Sequence, residues 1–179
     1  MKAFISVLVF ITSFHLFAQE EQAIVPVDPG SGLIQFREVV EEKGTKEELF
    51  NRCIYWLNSY YKNSTRVTTI RDHQTGRIEG NHNIRIYYYT DDSVRTQAGT
   101  VDYVFNIELK PDKYRYTITN FKLRSKTRMP IEKWLDKNDP DYNVHWDEYL
   151  QQIAGFVESW SNSLKAKMKA EVKKTDDDW

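Results

Sequence analysis

The 179-residue chain sets 25 Lys and Arg against 26 Asp and Glu, a formal net charge of -1. That balance excludes the strong positive field with which nucleic-acid binders displace counterions. The one cysteine, Cys53, excludes an intramolecular disulfide even in an oxidising compartment.

The chain opens with Lys2 and an apolar run over residues 3–17, broken only by Ser6, Thr12, Ser13 and His15. Ala18 ends the run and the polar stretch Gln19-Glu20-Glu21-Gln22 follows. A basic start, a short apolar body and a small residue before a polar segment predict a signal peptide over residues 1–18, cleaved after Ala18. The run is shorter than the roughly 20 apolar residues of a membrane span. No cysteine lies near the cleavage point to carry a lipid anchor. The expected product is exported to the periplasm or beyond, soluble, without a membrane span, and large enough for one domain.

Residues 19–32 hold Pro26, Pro29, Gly30 and Gly32 without an apolar period and read as a flexible lead-in. A domain over residues 33–172 follows. Residues 33–40 form a strand with Ile34 and Phe36 facing inward. Thr45-Lys46-Glu47-Glu48 is a capping box, in which Thr45 and Glu48 each satisfy an amide at the helix start. Behind it Leu49, Phe50, Cys53, Ile54, Trp56, Leu57, Tyr60 and Tyr61 recur at helical spacing. The helix fades at Lys62-Asn63-Ser64.

Four strands come next. Residues 66–72 are short and β-branched, and the turn at 73–76 gives Gly76 a positive φ. Over residues 77–90, Ile78, His82, Ile84, Ile86 and Tyr88 share one face and Arg77, Glu79, Asn81, Asn83, Arg85, Tyr87 and Tyr89 the other. A polar loop is expected over 91–99. Val101, Tyr103, Phe105, Ile107 and Leu109 then alternate with polar neighbours and Val104, the clearest period of two in the chain. After a turn at Pro111-Asp112, Tyr114, Tyr116 and Ile118 continue the inward set. Phe121 and Leu123 have the opposite parity, which predicts a bulge near Asn120.

Residues 124–145 read as a long loop, with a short helical turn from Pro130 to Leu135 pinned by Trp134 and Leu135. The closing helix runs from His145 to Lys169 with a stripe from Trp146 through Tyr149, Ile153, Val157 and Trp160 to Met168. A charged tail covers 173–179. Strands apolar on one face and polar on the other predict a sheet covered on one side only. The fold class is therefore α+β: a five-stranded antiparallel sheet in the order β-α-β-β-β-β-α, two helices on one face, the first strand beside the fifth.

Three blocks in this order are distinctive: residues 32–40, the helix through Leu49-Phe50-Asn51-Arg52 and Trp56, and residues 110–121. They resemble an exported bacterial family, domain-of-unknown-function family 4468, over roughly residues 32–123. That family's fold is like that of the TATA-box-binding protein, so the resemblance implies a TBP-like unit. It implies no activity and no site residues. The DNA-binding protein itself uses two such repeats, a basic saddle and apolar wedges in the minor groove. This chain has one unit, no basic excess and an export leader, so no nucleic-acid partner is expected.

No reactive constellation stands out, so catalytic residues, metal and cofactor are each expected to be none. His73, His82 and His145 lack zinc-site spacing. His145 with Asp147 and Glu148 is a charged first helical turn, and His82 reads as an interior histidine. Cys53 sits on the apolar helix face as a small hydrophobe. There is no Gly-x-Ser-x-Gly turn and no phosphate-cradling glycine loop. Hydrolysis by carboxylates paired in space is the weakest reading.

The best candidate is the open sheet face, where Arg77, Arg85, Tyr87, Tyr89, Val104 and Arg115 project beside Glu79, Asp102 and Glu108. Tyr and Arg recur where a surface meets a partner, although an ordinary solvated face carries the same residue types. The reading is an exported binding or assembly module. Its alternative is a carrier of a small apolar ligand, in a cavity between sheet and closing helix lined by Tyr88, Tyr103, Tyr116, His82 and Trp160.

Overall fold

The computed structural model describes residues 24–90 and 94–170. The expected leader at 1–18 and tail at 173–179 lie outside them.

The first strand, β1 (Gln35–Glu41), leads to α1 (Lys46–Tyr60). The capping box starts α1 as predicted: the Glu48 amide donates to Thr45 Oγ1 at 3.2 Å and the Thr45 amide to Glu48 Oε2 at 2.8 Å. A single-turn helix, α2 (Ser64–Val67), intervenes before β2 (Thr68–Asp72). The strand expected from residue 66 therefore starts later. Asn63 accepts the Arg66 amide at 3.1 Å and so turns the chain once more.

β3 (Arg77–Tyr89), β4 (Arg95–Lys110) and β5 (Lys113–Leu123) complete the meander. The polar loop expected over 91–99 is shorter than predicted, because β4 already pairs with β3 at Arg95. Ile86 faces Gly99 while Tyr87 faces Gln97, so Ala98 is an extra residue on β4. This bulge breaks the period of two and hides the strand's first turns from a pattern search. The one predicted bulge is present: Asn120 has φ +57°, the register shifts between Asp102 and Val104, and Phe121 turns into the core.

All pairs are antiparallel, in the order β1-β5-β4-β3-β2, which seats the first strand beside the fifth as expected. A sixth, two-residue strand β6 (Met129–Pro130) was not foreseen; it pairs with β5 at Lys122 and Leu123, past the end of β1. A 3-10 turn (Ile131–Leu135) follows. Ile131 and Trp134 anchor it, whereas Leu135 is 42% exposed. The Glu132 carboxylate there accepts the Ile34 amide at 2.9 Å. The closing helix is α3 (Trp146–Met168).

The described part of the lead-in is built in rather than loose. Val25 is 1% exposed, Val27 bridges Ile34, and Asp28 accepts from the Ser31 amide and hydroxyl.

One face of the sheet is buried. Val101, Tyr103, Phe105, Ile107 and Leu109 of β4 lie against Trp56 and Leu57 of α1 and Ile153, Trp160 and Leu164 of α3 in a single core. Phe105 is its hub. Its ring stacks on Tyr61 at 6.0 Å and meets Trp160 at 5.8 Å. Across the ladder it faces Gly80, where an added Cβ would stand 2.3 Å from Phe105 Cζ and 2.6 Å from the Val67 carbonyl. Gly80 is thus the gap into which the ring fits.

We predict that Phe105→Ala costs about 3–5 kcal/mol in denaturant unfolding, the range for a truncated interior Phe. Gly80→Ala should cost about 1–3 kcal/mol by overpacking. Val104→Ala, on the opposite face, should cost under about 1 kcal/mol; equal losses at 104 and 105 would refute this register.

Candidate functional site

The uncovered face of the sheet is assembled by strand parity. Near one end, Val39, Arg115, Glu108 and Arg77 stand side by side across β1, β5, β4 and β3. Asn81, Val104 and Thr119 lie further along, then Asn83, Asp102 and Lys122. Beyond Thr100, whose carbonyl still accepts the Arg124 amide at 2.8 Å, β4 pairs only with β3 as a two-stranded ribbon. Its rungs are Arg85 with Thr100, Tyr87 with Gln97 and Tyr89 with Arg95.

Charge is neutralised on the body of the sheet, from the near end up to the row before the ribbon. Arg115 Nε donates to Glu108 at 2.6 Å, Arg77 pairs with Glu79, and Arg124 Nε donates to Asp102 at 2.8 Å. Glu79, Asp102 and Glu108 are thus each engaged by an arginine. On the ribbon, the Arg95 guanidinium lies 3.7 Å over the centre of the Tyr87 ring and Tyr89 is 57% exposed. Among the described residues Arg85 and Arg95 have no carboxylate partner.

The six expected residues therefore share one face but not one patch. Arg85, Tyr87 and Tyr89 gather on the ribbon. Arg77 and Arg115 lie at the near end among acids, and half-buried Val104 lies between. Arg77 and Tyr89 are separated by roughly 40 Å of strand at about 3.3 Å per residue.

A pair of isolated strands is marginal in water, and α3 holds this one. The Gln152 side chain accepts the Tyr87 amide at 2.9 Å and donates to the Tyr87 carbonyl at 2.7 Å. The Tyr88 ring meets His145 at 5.3 Å. Arg95 and Gln152 were not singled out from sequence. The bulge at Ala98 concealed Arg95, and no local pattern marks a glutamine that reaches a strand edge.

The residues expected to enclose an apolar ligand pack on one another and on core rings: Tyr116 meets Trp160 at 5.7 Å and His82 meets Tyr103 at 6.4 Å. Tyr103 and Trp160 are core residues, Tyr88 lies by the helix start, and the Tyr116 hydroxyl donates to Glu38 at 2.5 Å. His82 is exposed, not interior, because β2 stops opposite Gly80 and leaves it at the sheet edge. Trp160 Nε1 donates to the Tyr61 hydroxyl at 2.7 Å, which shares a further bond with Tyr103 at 3.1 Å. Burial pushes the Tyr61 hydroxyl up to about 12, and burial with the Glu38 carboxylate does the same for Tyr116. Burial raises Tyr103, Tyr114 and the Cys53 thiol as well. Among the described residues no three His, Cys, Asp or Glu side chains come together as metal ligands.

Residues 36–124, about half the chain, match the model of a family described as "Domain of unknown function (DUF4468) with TBP-like fold". The chain belongs to that family. A crystal structure of a DUF4468 protein from Bacteroides ovatus has a TM-score of 0.66 at 13% identity, covering 83% of this chain and 92% of that one. A TBP-like protein from Parabacteroides distasonis has a TM-score of 0.64 at 13% identity, covering 82% and 97%. At that identity the likeness shows the fold alone. No curated protein matches. The DUF4468 match spans β1 to β5 and leaves α3, which holds the ribbon, outside it.

The buried hydroxyls set an alkaline limit. Unfolded tyrosines ionise near pH 10, whereas Tyr61 and Tyr116 stay neutral to about 12 when folded. Their contribution is complete below about pH 10 and is lost as pH rises toward 12. We predict a melting temperature that falls through that window. Tyr61→Phe should flatten the fall and cost about 1–3 kcal/mol at neutral pH by orphaning the Trp160 N–H.

Proposed function

We propose that this DUF4468 chain is an exported binding or assembly module. Residues 1–18 serve as a signal peptide, residues 33–172 form its one domain, and the mature protein works in the periplasm or outside the cell. It meets a partner with the outward face of its sheet, centred on the ribbon. The observation that supports this is the contrast along the face: Arg77, Arg115 and Arg124 are engaged by acids, whereas Arg85, Tyr87, Tyr89 and Arg95 meet none among the described residues.

Tyr and Arg combine large contact area with directional bonds, and they dominate the energetic centres of protein interfaces. A guanidinium stacked on a ring is already positioned, so less freedom is lost when a partner arrives. The arrangement suits a protein surface better than a duplex, because the acids on the same face would repel phosphates. Among the described residues no helix is long and apolar enough to cross a membrane.

Affinity capture from the host's exported fraction tests the reading. Tyr87→Ala with Tyr89→Ala should abolish capture of the partner seen with the natural chain and leave melting within about 1 kcal/mol. Arg77→Ala with Arg115→Ala should weaken it far less. Undiminished capture by the ribbon variant would overturn the assignment. N-terminal sequencing of the same preparation should read from Gln19.

A further inference from the structure

A second surface differs from this face: the edge of β3 beyond β2. The β2 strand pairs with β3 only as far as Gly80, whereas β3 continues in unbroken register to Ile86. Successive residues of a strand point their backbone groups to opposite edges. The Tyr87 amide and carbonyl point away from β4, since both bond Gln152. Arg85 and Asn83, two and four residues earlier, therefore present theirs along the same edge. Among the described residues the Asn83 amide and both Arg85 backbone groups have no partner there. The Asn83 carbonyl has only the His82 ring, with Nδ1 at 3.1 Å.

Exposed edges are commonly blunted by lysine, proline or a bulge in the edge strand. Residues 81–86 (Asn-His-Asn-Ile-Arg-Ile) contain neither residue, and the bulge in this pair is on β4. The lane is closed at both ends. Gln152 occupies it at Tyr87, where its amide imitates a rung. At the other end the corner between α1 and α2 walls off a groove of about 580 Å³ that includes Lys62, Arg66, Asn81 and Asn83. Among the described residues the Lys62 and Arg66 side chains have no acidic partner.

We propose that an extended peptide ending in a free carboxylate adds to this edge as an antiparallel strand. It lies in the lane of β2 and runs in the same direction, so its C-terminus stops against α2. There Lys62 and Arg66 receive the terminal carboxylate and any acidic residue beside it. The ladder at Asn83 and Arg85 supplies sequence-independent affinity, and the cations choose the end of the chain. A second copy of the protein fits less well, because its matching edge, residues 81–86, would bring Arg85 and no acidic side chain against this one.

The test passes a library of random synthetic octapeptides with free C-termini, and the same library amidated, over the immobilised protein. Retained peptides should come from the free-acid library and be enriched in Asp and Glu at the last two positions. The strongest one, N-methylated at alternate backbone amides, should bind about tenfold or more weakly by fluorescence anisotropy. Lys62→Glu with Arg66→Glu should remove the preference without lowering the melting temperature. Peptide binding should slow hydrogen exchange at the Asn83 and Arg85 amides. The proposal is overturned if no peptide is retained, if N-methylation has no effect, or if the same amides are protected by dimerisation instead. Tyr89→Ala with Arg77→Ala should leave peptide binding intact, which keeps failure of the face reading distinct from failure of this one.

Discussion

Both helices reach the sheet through one aromatic junction. Phe105 of β4 presses into the gap left by Gly80, stacks on Tyr61 just past α1 and meets Trp160 of α3. Trp56 of α1 meets Trp160 edge to face at 4.9 Å and closes the ring of contacts. Aromatic pairs in these geometries add to what area burial alone provides. The polar atoms inside the junction are satisfied internally, since Trp160 donates to Tyr61 and Tyr61 bonds Tyr103. A buried network of this kind favours one packing arrangement, because a shifted ring would strand a donor without water.

Much of this could be read from the residues. Period-two alternation in 101–109 gave the register of the buried face, and the reversed parity of Phe121 and Leu123 located the bulge at Asn120. The capping box at Thr45 placed the start of α1. What could not be read depended on long-range partners. The start of β4 at Arg95 relies on pairing with Tyr89, and the bulge at Ala98 removes its periodic signature. The position of His82 shows the same limit: parity puts it inside, but a strand's neighbour, not its own pattern, decides how far cover extends. The single turn at Ser64–Val67 is too short to carry a period.

The candidate site was legible in composition and not in layout. Parity placed Arg77, Arg85, Tyr87, Tyr89, Val104 and Arg115 on one face, and that holds. Which of the arginines are engaged depends on cross-strand neighbours fixed by register. Arg115 meets Glu108 because β4 and β5 set them opposite each other, whereas Arg85 faces Thr100. Surface ion pairs of this sort contribute little to stability. Their effect is to make one end of the face electrically quiet and leave the other end expressive.

The clasp between Gln152 and Tyr87 has a mechanical consequence. Because one side chain grips both backbone polar groups of a single residue, and so two successive peptide planes, the ribbon cannot swing independently of the helix that carries the glutamine. Force applied to the ribbon is delivered to the second turn of α3 and, through Trp160, to the centre of the protein. The arm is a lever seated on its own fulcrum, stiff where it leaves the body.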